Sequence, residues 1–181
     1  MSPTTTTTLL RILPLLTSTT LLTYAYTEHL FLSPFTHASL HPSSTTFLPP
    51  YFRIWLSRGK YVIILGYPLT FLASAANLYT LSSLPPSSSS SSSTVWKLYA
   101  AGMLFNLAHI FVFGRRALGL LEDIKAGRGR RSEGGKGKEE GGDGGGVTES
   151  MRVWLEMHVF RTVTTDLPAW VCFVAAVCLG W

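Results

Sequence analysis

The chain has 181 residues, 46% of them apolar and only 14% charged, with a formal net charge of +5. A soluble domain carries about a quarter charged residues, so the composition excludes an ordinary water-exposed globule, and the length excludes a large multidomain enzyme. Eighteen of the 25 charged residues fall in two blocks, Arg53 to Lys60 and Arg115 to Glu149. The basic residues thus lie in loops between apolar stretches, where membrane topology places them, and nucleic acid is not an expected partner.

This pattern predicts an all-α, polytopic membrane protein, a single domain built as a four-transmembrane-helix bundle in the lipid bilayer. The first span covers about 9–32, with Arg11 near its start and Glu28-His29 near its end. A cleaved leader is the rival reading of this segment. It is disfavoured because no positive region precedes the apolar run and no small-x-small site follows it. Residues 33–50 carry four prolines, His37 and His41, and read as an irregular excursion. It leads into a short amphipathic entry around Trp55.

The second span, 61–81, has no charge and is long enough to cross about 30 Å of hydrocarbon, with Pro68 expected to kink it. Residues 82–94 form a Pro- and Ser-rich linker. The third span, 95–113, holds Asn106 and His109 and ends at Arg115-Arg116. Residues 126–149 are rich in Gly and charge, and too poor in apolar groups to be expected to order. The fourth span, 157–181, carries His158, Arg161 and Asp166 in its first half, and Pro168 marks a bend or break. Cys172 and Cys178 sit six apart, a spacing that reads as packing.

The first loop holds three basic residues, and the third holds eight from Arg115 to Lys138. Positive loops face the cytoplasm, so the third loop is expected there, with both termini on the opposite side of an endomembrane.

Polar groups inside a span cost about 2.5 to 3.5 kcal/mol at mid-depth, so each calls for a partner or a purpose. Trp154, His158, Arg161 and Thr165 follow i, i+4, i+7, i+11, one stripe of a helix, with Asp166 slightly off the line. Asn106, His109, Phe113 and Arg116 likewise share one face. If the two faces meet, His109 and Asn106 approach His158, Arg161 and Asp166. A histidine there could take a proton while the arginine holds the anion formed. The competing reading puts Arg161 and Trp154 at the headgroups and leaves His109 one interhelical hydrogen bond. His29, His109 and His158 show no haem or zinc spacing, and neither metal nor cofactor is expected.

The order of the spans, with Trp55-x-x-x-Gly59-Lys60 before the second, a polar third span, and Trp154-x-x-x-His158-x-x-Arg161 opening the last, resembles the small four-helix membrane proteins that include fungal anthrone oxygenases. The resemblance implies a cofactor-independent monooxygenase of secondary metabolism that turns an aromatic polyketide anthrone into a quinone. The catalytic residues on this reading are His158 as base, Arg161 on the anion, and His109 or Asp166 assisting. A hydrophobic aromatic small molecule would sit among Phe105, Asn106, Phe113, Trp154 and Trp170. The bundle could act alone or as a homo-oligomer. The competing class is a non-enzymatic membrane scaffold or accessory subunit whose polar stripes only lock packing.

Overall fold

The structure, a computed structural model, describes residues 3–83, 90–128 and 145–180. Among these, all regular structure is helical: α1 spans Pro3–Leu32, α2 His41–Ser82, α3 Ser90–Ala126, α4 Gly145–Arg161 and α5 Leu167–Leu179. Two short 3-10 turns, Ser33–Thr36 and Ala38–Leu40, join α1 to α2, and a π-helical turn, Thr162–Asp166, joins α4 to α5. Three helical stretches, Ser43–Ser82, Ser92–Ala126 and Gly146–Leu179, are long and apolar enough to cross a membrane. α1 is helical throughout, but it is not one of the three. Many of its positions are threonine.

The expected excursion at 33–50 is largely helix instead. Pro42 falls in the first turn of α2, where backbone N–H groups have no intrahelical acceptor in any case, so its missing donor costs nothing there. Of the expected linker at 82–94, Ser90 onward begins α3, while residues 84–89 lie outside the described residues. The charged segment expected at 126–149 likewise falls mostly outside them, at 129–144.

The chain divides into two compact units, and the long helices contribute to both. The first comprises Met1–Ala25, Tyr61–Val112 and Arg161–Trp181, and the second Tyr26–Lys60 and Phe113–Phe160.

In the first unit, close approach and hydrogen bonds do the packing, as expected where lipid removes the hydrophobic drive between helices. Thr70 Oγ1 lies 2.7 Å from Thr17 Oγ1, and Asn77 Nδ2 donates to the Leu10 carbonyl at 2.7 Å. A Cβ on Gly66 would come within 2.6 Å of Leu21, and one on Gly102 within 2.5 Å of the Phe173 ring. Glycine is what lets these side chains reach the backbone. Val95, Tyr99, Ala169, Phe173 and Ala176 form the buried core. Ile64, Leu65, Leu72, Leu104 and Phe111 are exposed, consistent with lipid contact.

The second unit has its own core, which includes Leu48, Phe52, Ile124, Met151 and Trp154. α3 ends there at Gly127, whose φ of 68° is the left-handed conformation of a helix C-terminus. The Arg128 N–H bonds the Asp123 carbonyl and the Gly127 N–H the Ile124 carbonyl, the paired closure of a Schellman motif. Arg53 Nε donates to the Lys125 carbonyl at 2.7 Å, placing a cation at the negative end of the helix dipole.

Candidate active site

The first unit holds a buried cluster drawn from three elements. His109 on α3, Asp166 at the end of the π turn and Tyr67 on α2 are each 6% exposed. His109 Nδ1 lies 2.6 Å from Asp166 Oδ1, and the Tyr67 hydroxyl lies 2.7 Å from Nδ1 and 3.0 Å from the same carboxylate oxygen. The Tyr67 and His109 rings stand 4.3 Å apart between centroids, tilted by 41°. A carboxylate only accepts, so it places the ring proton on Nδ1 and leaves the Nε2 lone pair as the basic one. Every hydrogen bond of this imidazole to a described residue runs through Nδ1.

The π turn supplies the geometry. The Leu167 N–H reaches back five residues to the Thr162 carbonyl, and Pro168 at the start of α5 has no N–H to continue the regular ladder. The wider turn rotates Asp166 relative to the helical stripe that precedes it. π turns recur at functional sites for this reason. Arg161, 8% exposed, precedes the turn, and its carbonyl accepts from Thr165 Oγ1 at 2.7 Å. Asn106, one turn before His109 on α3, is 4% exposed, and its Nδ2 has no hydrogen-bond partner among the described residues.

The second unit contains a separate buried pair. His158 Nε2 on α4 lies 3.4 Å from Glu28 Oε2 on α1, and Trp154 stacks on the His158 ring at 4.8 Å and 12°. Phe52 meets Trp154 edge to face at 6.3 Å between centroids. The Trp154 indole nitrogen is buried without a hydrogen-bond partner among the described residues.

The expected residues are therefore distributed. His109 and Asp166 come together, with Asn106 and Arg161 in the same unit, whereas His158 has Glu28 as its acidic neighbour. Trp154 and Arg161 are both buried within the protein. The four aromatic residues expected around a substrate are also divided. Phe105 packs on the core of the first unit, and Trp170 Nε1 donates to Thr19 Oγ1 at 2.9 Å. Phe113 meets Phe160 in the second, 6.0 Å between centroids, and Trp154 joins that unit's core. Sequence reasoning did not single out Tyr67; a hydroxyl in the middle of a charge-free span was the available signal. Among the described residues no group of three or more His, Cys, Asp or Glu side chains is arranged to hold a metal ion.

Fold and site together define an all-α protein with helices long and apolar enough to span a membrane and an oriented histidine buried among them. Its relatives are enzymes of oxidation. The chain is 34% identical over 168 residues to Epoxidase pydX of an Acremonium species, covering 93% of this chain and 91% of the relative. It is 33% identical to the probable epoxidase scpX of Mollisia scopiformis and to Epoxidase gkaX of Penicillium citrinum, again across 93% of this chain and 93% and 92% of theirs. The chain belongs to this family of fungal epoxidases. The names of these relatives support the expectation of an oxidative enzyme, and they do not extend to anthrone oxygenation. No family model matches the chain, and no solved structure matches it.

Proposed function

We propose that the chain is an integral membrane oxygenase that takes an apolar, electron-rich small molecule and uses dioxygen to convert a carbon–carbon double bond into an epoxide. The observation that carries this reading is the His109 imidazole held by Asp166 at 2.6 Å in a chain whose relatives are epoxidases.

In this reading His109 Nε2 removes a proton from an acidic C–H or O–H of the substrate. Asp166 fixes the tautomer and stabilises the imidazolium, the role of the carboxylate in any carboxylate-oriented histidine. Arg161 and the Tyr67 hydroxyl supply positive potential for the anion, and the Asn106 amide, with its open Nδ2 donor, holds a substrate oxygen. The anion adds dioxygen and a proton to give a hydroperoxide. Transfer of the outer oxygen to a double bond then yields an epoxide and an alcohol, with both oxygen atoms retained and no outside reductant. In an anthrone the same hydroperoxide would instead lose water to leave a quinone carbonyl, so one proton-removal step serves either outcome.

His158, favoured by the sequence as base, stands beside Glu28 at the longer distance of 3.4 Å, which supports His109 better. The basic first and third loops support a cytoplasmic location for both. The reading is tested with membranes containing the protein, an anthrone and an alkene bearing an acidic C–H, under isotopically heavy dioxygen and under argon. Oxygen-dependent product carrying the label supports it. Equal conversion by membranes lacking the protein contradicts it.

A further inference from the structure

A second feature of the first unit lies well away from His109. A cavity of about 350 Å³ opens where α1, α2, α3 and α5 come together, between Leu10 and Arg11, Asn77 and Leu81, Val95 and Tyr99, and Val177 and Gly180. Tyr99 and His109, Asn77 and Tyr67, and Ala176 and Asp166 are each ten residues apart. Three elements therefore agree on a separation of about 15 Å along the helices. Phe173, Ala169 and Phe105 fill part of the interval as core. The cavity is not the reaction site.

The polar groups around it have unequal freedom. Asn77 Nδ2 donates to the Leu10 and Ala73 carbonyls at 2.7 and 2.8 Å, and the Tyr99 hydroxyl donates to the Arg11 carbonyl at 2.8 Å. Their donors are spent on backbone. Arg11 is different: Nη1 donates to the Gly180 carbonyl at 2.8 Å, and no described residue offers the guanidinium a carboxylate. A cation with spare planar donors, facing a cavity walled by Leu10, Leu81, Val95 and Val177, selects a ligand with an anionic oxygen head and an apolar body. The volume suits a small-ligand site.

We infer that this cavity binds the head of an anionic amphiphile, its carboxylate or phosphate on Arg11 and its chain along the aliphatic walls. The head could come from a carboxylic acid or from a phospholipid, and the chemistry of recognition is the same. The site stands independently of the proposed oxygenation.

The full-length protein in a neutral maltoside detergent would be titrated with a fluorescent long-chain polyene carboxylic acid, then challenged with palmitate, lysophosphatidate and hexadecanol. Saturable binding displaced by an anionic competitor and not by the alcohol is expected. Palmitate acting at the lower concentration identifies a carboxylic acid as the natural head, and lysophosphatidate acting at the lower concentration identifies a lipid phosphate. Arg11→Gln should weaken binding about tenfold or more, the loss of a charge-assisted hydrogen bond, and Arg11→Lys should retain most of it. Val177→Trp fills the cavity without altering the guanidinium and should also abolish binding, which keeps the test decisive if Arg11→Gln unfolds. No saturable binding, displacement by hexadecanol at the same concentrations, or undiminished binding in Val177→Trp or in a folded Arg11→Gln would overturn the assignment.

Discussion

Asp166 and His109 meet at 2.6 Å because a π turn, not a regular helical one, carries the aspartate. Pro168, just beyond it, withholds the N–H that a regular ladder would use. Pro168→Ala restores that donor and should let the turn relax toward α-helix, rotating the carboxylate off Nδ1. Oxygenase activity should then fall about tenfold or more while the unfolding temperature holds or rises. Unchanged activity would show that the turn does not position Asp166.

Asp166, as the acceptor beside Nδ1, has a role apart from packing. Asp166→Asn can present either an amide N–H or a carbonyl to Nδ1, so the amide that donates would move the ring proton to Nε2. Turnover is expected to fall by about 10² while substrate binding changes little. A rise in KM with turnover unchanged would mean that the carboxylate serves binding.

Tyr67→Phe removes one hydroxyl that touches both His109 and Asp166. The expected cost is about 1 kcal/mol in stability, the net worth of a buried hydrogen bond, together with a several-fold loss of activity. Thermal unfolding in detergent and oxygen uptake, measured on the same preparation, separate the two effects.

Gly102 faces the Phe173 ring so closely that an added Cβ would stand 2.5 Å from it. Gly102→Ala should destabilise the first unit by about 1–3 kcal/mol, the ordinary cost of overpacking. Phe173→Leu, which withdraws the ring edge, should recover part of that loss in the double variant. Strict additivity in a double-mutant cycle would contradict the close approach.

The polar stripes themselves were legible in the spacing. Trp154, His158, Arg161 and Thr165, placed on one face by spacing alone, are all buried, at 3%, 1%, 8% and 5% exposure. Asp166 fell off that line because the spacing assumed 3.6 residues per turn, and the wider turn brings it inward. Tyr67 escaped notice because a hydroxyl amid apolar residues leaves no charge signature. The pairing of His158 with Glu28 depends on which faces of α1 and α4 meet, and periodicity within a single helix does not carry that information. The helix over residues 41–50 was obscured by prolines that read as breakers, although the first of them sits where a helix tolerates it.

His109 is the proposed base, and comparison of His109→Gln with His158→Gln in folded protein tests that role most directly. Both variants and the parent would be assayed for oxygen-dependent conversion of a confirmed substrate under heavy dioxygen. His109→Gln should lose about 10² to 10⁴ in turnover, the range of a general base, with His158→Gln far less affected. Full activity in His109→Gln, or its loss only in His158→Gln, would contradict the account.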